Sequence, residues 1–281
     1  VVGSGKTGID ACLWLLDKGV EPSRIRWIMP RDAWFMDRAN FQPGLENFER
    51  NMGYSLAQFG SIIEASSPAD LFARLEAKGA LLRLDPKVEP TTYRCGTVSC
   101  DELALLRRIG DVVRLGRLRA IEPTRIVLDQ GELPAQADTL YVDCSASAIQ
   151  PLPGLPVFAG ARINLLMVRF CQPLFSAALI AFVESHVDDD AARNALCAVV
   201  PSPEVPHDWM RMWGATLANT ARWRAHPALN AWLMKCRLNG QAVMARGVSR
   251  DDAPRLALLR ETGVKAAEAA ARLPALLAMA S

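Results

Sequence analysis

The chain opens Val1-Val2-Gly3-Ser4-Gly5-Lys6-Thr7-Gly8-Ile9-Asp10-Ala11-Cys12-Leu13, and the fold expected of it turns on these residues. Gly3, Gly5 and Gly8 have the G-x-G-x-x-G spacing, directly after apolar Val1-Val2 and directly before an apolar repeat at Ile9, Cys12, Leu13, Leu16 and Val20. The repeat follows the i, i+3, i+4, i+7 pattern of a helix packed on one face, with Gly19 placed as its C-terminal cap. Strand, glycine turn and helix are therefore expected in that order. In such a turn the first glycine permits a tight bend, the second lets a pyrophosphate approach the backbone, and the third allows close packing of helix on strand. The helix N-terminus offers free N–H groups to the same anion. Gly3, Ser4, Gly5, Lys6, Thr7 and Gly8 are the candidate pyrophosphate-binding residues, with Lys6 as an optional counter-charge.

Downstream, Ile25 to Met29 is a short apolar run closed by Pro30, the pattern of a buried strand. Arg31 follows, roughly twenty residues after the last glycine, where an acid would mark NAD and an arginine can pair with the 2′-phosphate of NADP. Asp32 offers the opposite reading, as an acceptor for ribose hydroxyls. A P-loop is the rival motif, because Gly5-Lys6-Thr7 fits the end of G-x-x-x-x-G-K-[ST] and Leu140-Tyr141-Val142-Asp143 resembles an apolar run ending in a Mg²⁺-binding acid. It would require Val1-Val2 to be loop, and it has no use for Gly8. A non-catalytic NAD(P)-binding module is a third possibility.

Further along, Ser67, Pro68 and Asp70 supply a cap, an N1 proline and a first-turn acid, and Ser99 with Glu102 forms a capping box for a helix reaching about Ile109. Val112 to Leu115, Leu118 to Ile121 and Arg125 to Leu128 read as short strands of a β-meander, and Thr139 to Val142 as a strand returning to the main sheet. Pro151, Pro153, Gly154 and Pro156 crowd one stretch and mark a boundary. Val157-Phe158 and a second apolar run at Ile163 to Val168 come next. Helices are then expected at about 174–186, 190–197, 207–224, 227–236 and 253–279. The expected fold is α/β: a Rossmann-like parallel sheet with an inserted β-meander, followed by a mainly helical C-terminal region. The domains are 1–150, for NAD(P), and 151–281, combining the remainder of a flavin-binding domain with helices.

The 281 residues are 51% hydrophobic and 22% charged, a globular composition. Lys+Arg 32 against Asp+Glu 30 gives a net charge of +2, which argues against an extended nucleic-acid face and for a small nucleotide and a small-molecule substrate. The most apolar stretch, Ile163 to Val183, is interrupted by Asn164, Arg169, Gln172 and Pro173, so no membrane span is expected. The 7 cysteines are scattered, as suits a reducing cytoplasm. The 3 histidines show no metal-ligand spacing, and no metal is expected.

Cys95 and Cys100 have the C-x-x-x-x-C spacing of a redox pair, against which stands the reading as ordinary, partly buried thiols. Trp209 and Trp213, with Trp223 and Trp232, are expected in helix packing rather than in a substrate wall. His207 and His226 are read as surface residues beside helix starts. Asp188, Asp189 and Asp190 are read as a helix cap rather than a calcium loop.

Three stretches together carry a family resemblance: Val1 to Ala11, Arg26-Trp27-Ile28-Met29-Pro30-Arg31-Asp32, and Val142-Asp143-Cys144-Ser145-Ala146. The chain resembles the flavoproteins with two dinucleotide-binding domains, the flavin-containing-monooxygenase-like and pyridine-nucleotide-disulfide-oxidoreductase-like FAD/NAD(P) oxidoreductases, over about residues 1 to 185. The resemblance implies hydride transfer from NADPH to FAD. It also implies that the chain begins at the family's second glycine motif, with most of the FAD site in an upstream segment, so that the 281 residues alone should retain no stoichiometric FAD; with only Val1 and Val2 for the first strand, they should also hold NADPH weakly. Asp143-Cys144-Ser145-Ala146 falls where the family crosses between domains. Ala161, after Val157-Phe158-Ala159-Gly160, replaces an acid that the family uses on the flavin ribityl chain.

Overall fold

A computed structural model describes residues 1–147 and 154–280. In chain order the elements are α1 (Lys6–Asp17), β1 (Arg26–Ile28), β2 (Ala33–Asp37), α2 (Phe48–Glu64), α3 (Pro68–Ala77), β3 (Thr92–Val98), α4 (Cys100–Leu106), β4 (Asp111–Val113), β5 (Leu118–Ile121), β6 (Arg125–Leu128), β7 (Gly131–Pro134), β8 (Phe158–Ala159), β9 (Arg162–Ile163), α5 (Pro173–His186), α6 (Asp190–Leu196), α7 (Pro206–Ala225), α8 (Pro227–Lys235), α9 (Gly240–Gly247) and α10 (Ala253–Ala278). The architecture is mixed helix and strand, with small sheets. It divides into two compact units: Val1–Arg38 with Leu81–Gln150 and Glu204–Pro206, and Ala39–Ala80 with Pro151–Pro203 and His207–Ser281.

In the first unit β1 pairs in parallel with β4, in the register Arg26 to Asp111 and Ile28 to Val113. Val2 bridges in parallel to Ile28 on one side and to Asp143 on the other. Its amide donates to the Val142 carbonyl at 2.9 Å and its carbonyl accepts from the Cys144 amide at 2.8 Å. α1 covers this layer through buried Ile9 and Cys12, which share a core with Ile25, Trp27, Leu103 and Leu106. Strands β5, β6 and β7 form an antiparallel meander. Ile126 and Leu128 of the meander pack in one cluster with Val2, Ile28 and Val113.

Local signals place most of the helices. Ser67 accepts from the Asp70 amide at the start of α3, and Ser99 with Glu102 completes a reciprocal capping box on α4. Asp189 caps α6, as expected of the aspartate run. His226 does more than occupy the surface, since its ring accepts from the Leu229 amide and caps α8.

The meander differs from expectation in its strands. Residues 111–113 belong to the parallel pair, and the third meander strand is Gly131–Pro134. Thr139 to Val142 form no strand; the return to the sheet is the single bridge at Asp143. Besides β7, the strands β2 and β3, which pair in parallel, escaped the sequence reading. All five residues of β2 are buried, so it lacks the alternation that marks a half-buried strand. In β3 the left-handed Cys95 (φ 57°) falls where the register against β2 shifts, which breaks the alternation there as well. α9 escaped because glycines begin and end it.

The second unit is mainly helical. α2 packs along α10, with Phe48, Met52 and Met244 at the buried centre of one cluster. A second cluster joins Phe158, Phe175, Leu179, Trp223 and Leu229. Trp209 and Trp213 are both buried, and Trp213 also faces a cavity of this unit. Ala39–Ala80 belongs to this unit although it precedes the expected boundary, while Pro151 and Pro153, which mark that boundary, lie outside the described residues. Among the described residues no helix is long and apolar enough to cross a membrane.

Candidate functional site

The glycine turn leaves the C-terminal end of the strand residue Val2 and enters α1, and its three glycines occupy three different environments. Gly3 has φ +118°, and a Cβ there would stand 2.6 Å from the Cys144 carbonyl oxygen. At Gly8 a Cβ would lie 2.2 Å from the Gly3 carbonyl oxygen, so only glycine lets the helix approach the strand this closely. Around Gly5 a Cβ would meet nothing within 4 Å. Folding therefore demands Gly3 and Gly8 but not Gly5, which is exposed at the N-cap of α1.

The N-cap residue Gly5 supplies no side-chain cap to α1, and the first turn contains no acid, so nothing in the helix start itself competes for an anion. Ser4 is half-buried, while Lys6 and Thr7 are exposed. Lys6 pairs with Asp10 one turn along. The Trp27 indole donates 2.8 Å to the Gly3 carbonyl, fixing the turn from the neighbouring strand. Trp27 is fully buried, and in the sequence it reads only as a core residue.

Arg31 lies beyond β1, as expected, but it is not solitary. Its Nη2 donates to Glu204 Oε1 at 2.6 Å, and Arg94 forks onto the same carboxylate, with Nε 2.7 Å from Oε2. The three side chains are each between one-third and one-half exposed and together carry a net +1. The hydrogen bond from Arg94, followed by that from Arg31, pulls the Glu204 carboxyl from its ordinary 4.5 down to about 2. A carboxylate held below its unfolded value stabilises the fold above pH about 4.5 and loses that contribution as the pH falls toward 2. The cluster is thus fully formed at neutral pH.

Asp32 is committed elsewhere. It is 5% exposed and takes a two-pronged contact from Arg114, Nε to Oδ2 at 2.7 Å and Nη2 to Oδ1 at 3.1 Å. The same contact raises the Arg114 pKa. A ribose hydroxyl would have to displace a charge-assisted pair, so the acceptor role considered for Asp32 is not supported.

Compared with known proteins, the chain has uncharacterized mycobacterial relatives. It is 50% identical over 242 residues to proteins of Mycobacterium tuberculosis H37Rv, M. tuberculosis CDC 1551 and M. bovis, each described as uncharacterized. The match covers 85% of this chain and 44% of each relative, so the chain spans less than half the length of the curated relatives it matches. No family model matches it. No solved structure does so either.

Two rival site readings fare differently. Val2 is paired on both sides, whereas a P-loop at Gly5-Lys6-Thr7 needs loop there. Asp143 turns its carboxylate onto the Ser145 amide at 2.9 Å and its pKa is lowered by hydrogen bonds from Ser145. As for the C-x-x-x-x-C pair, Cys95 is disulfide-bonded and Cys100 is not, so the two cysteines do not bridge each other. Cys171 is disulfide-bonded as well, and both depart from the expectation that the cysteines suit a reducing cytoplasm. Among the described residues no group of three or more His, Cys, Asp or Glu side chains is placed to hold a metal ion.

Proposed function

We propose that the unit built around the glycine turn is a Rossmann-like domain that binds NADPH and presents it to FAD in a flavin-dependent oxidoreductase of the monooxygenase-like type. The observation that carries this reading is the contrast among the glycines: Gly3 and Gly8 are sterically required, and Gly5 is left open beside an uncapped helix start. Supporting it, Val2 lies between Asp143 and β1, with β4 beyond, all in parallel. The chain leaves Val2 for β1 on one side and returns at Asp143 on the other, the switch point at which open α/β sheets take ligands.

The backbone of Gly3 to Gly8 would hold the pyrophosphate, Lys6 would add a counter-charge, and Arg31 would take the 2′-phosphate. The nicotinamide supplies a hydride and the flavin accepts it when both are bound. FAD is proposed to be held largely by a segment outside these residues, in keeping with relatives that extend well beyond the matched part. A small-molecule substrate and a cytoplasmic location belong to the same proposal; Cys12, Cys100, Cys144, Cys197 and Cys236 are not disulfide-bonded, although Cys95 and Cys171 are.

The test is the visible spectrum of the intact protein during anaerobic addition of NADPH or NADH. Bleaching of the oxidised flavin band, at lower NADPH than NADH, is expected. A colourless protein that still binds NADPH would leave only the non-catalytic module, and binding of MgATP instead would restore the P-loop.

Glu204 makes a second prediction. Its carboxylate already occupies Arg31, so a 2′-phosphate must compete with it. Glu204→Gln should tighten NADPH binding by about two- to fivefold, the worth of an exposed ion pair, and leave NADH binding unchanged. Calorimetric titration with both nucleotides checks this; equal gains for the two would place Glu204 away from the 2′-phosphate.

A further inference from the structure

Arg169 is 7% exposed, yet among the described residues no carboxylate pairs with it. Its Nη1 donates to Asn239 Oδ1 at 3.0 Å and its Nη2 to Gln241 Oε1 at 3.3 Å, while Nε has no partner among the described residues. The guanidinium carbon lies 4.7 Å from the centre of the Phe175 ring. Amide oxygens and an aromatic face solvate a cation, but they do not neutralise it. Burial, reinforced by the nearby positive charge of Arg224, lowers the Arg169 pKa to about 10. Buried arginines are ordinarily paired, because an isolated charge away from water is costly. Among the described residues nothing supplies the compensating anion.

Arg169 lines a cavity of about 460 Å³ within the second unit, a size typical of small-ligand sites. Its walls include Phe59, Phe170, Trp213, Trp223 and Leu233, and the charged side chains among its lining are Arg169 and Arg224. An apolar wall with two cations and no acid selects a ligand with a hydrocarbon body and one negative end. We propose that this cavity binds a medium-chain monocarboxylate, whose carboxylate neutralises Arg169 and whose chain lies against the aromatic wall. The site is separate from the glycine turn and stands whether or not the first unit binds NADPH.

Calorimetric titration of the whole chain with decanoate and with decanol tests it. Decanoate should bind at least tenfold tighter than decanol, and Arg169→Met should abolish that difference. Without ligand, Arg169→Met should melt no lower than the parent protein, since removing an uncompensated buried charge is neutral or favourable. Gly263→Leu supplies an independent block: Gly263 lines the cavity in the middle of α10, and a Cβ there meets nothing within 4 Å, so the leucine can enter the cavity without disturbing the helix. That variant should fold and lose decanoate binding. Equal affinity for decanoate and decanol, no decanoate binding at all, or unchanged decanoate affinity in either variant overturns the proposal. So does a large melting loss in unliganded Arg169→Met, which would mean that the protein itself compensates the cation.

Discussion

Gly8→Ala is expected to destabilise the protein by on the order of 3 kcal/mol, because the added methyl would sit 2.2 Å from a backbone carbonyl that the Trp27 indole holds in place. Neither partner can move cheaply. The clash is relieved only by lifting α1 from the strand, which would open the core at Ile9 and Cys12. Urea denaturation followed by far-ultraviolet circular dichroism measures the loss. Gly5→Ala is the matched comparison, since its methyl has open space and the N-cap conformation (φ −78°) suits alanine. It should cost at most about 1 kcal/mol, the difference between glycine and alanine as a cap. If the pyrophosphate lies where proposed, that same methyl should weaken NADPH binding by roughly ten- to a hundredfold, the loss of one or more hydrogen bonds to a charged group. Unchanged NADPH affinity in Gly5→Ala would remove the dinucleotide from the open side of the turn.

Arg31→Ala carries the second large effect. A charge-assisted phosphate contact is worth about 1.5 to 3 kcal/mol, so most of a ten- to hundredfold preference for NADPH over NADH should disappear. Equal binding of both nucleotides by the parent protein would sink the assignment before any mutation is made. Asp32→Asn separates the neighbouring residue from this role. It removes the charge from a pair in which Asp32 is buried and Arg114 partly so, and should destabilise the fold while leaving the nucleotide preference intact. The Glu204 carboxyl, held near 2, keeps the arginine cluster unchanged between pH 5 and 8. A fall in NADPH preference as the pH drops through about 6 would therefore reflect protonation of the 2′-phosphate rather than release of the clamp.

Apart from α9, the helices were legible in the sequence because their signals are local. Ser67 and Asp70, Ser99 and Glu102, and Asp189 each act within one turn of the residues they cap, and the apolar repeat after Gly8 faces one side whatever surrounds it. The glycine spacing announced a turn for the same reason. Strands were less legible, since β2 is buried throughout and β3 shifts register near a left-handed cysteine, and pairing partners decide both.

By itself the sequence determined most helix starts, the strand–turn–helix opening and the positions of Gly3, Gly5, Gly8 and Arg31. Only the tertiary structure decided which of these glycines the fold requires, because the clash at Gly8 involves the turn's own Gly3 carbonyl and that at Gly3 involves Cys144, far along the chain. The fate of each charge was also settled there. Glu204 reaches Arg31 across 173 residues and Arg114 reaches Asp32 across 82, while Arg169, which in the sequence merely interrupts an apolar run, is buried with no anion beside it among the described residues. Caps and apolar periodicity act between near neighbours along the chain, whereas the pairing of a charge depends on what folding brings within hydrogen-bond distance of it.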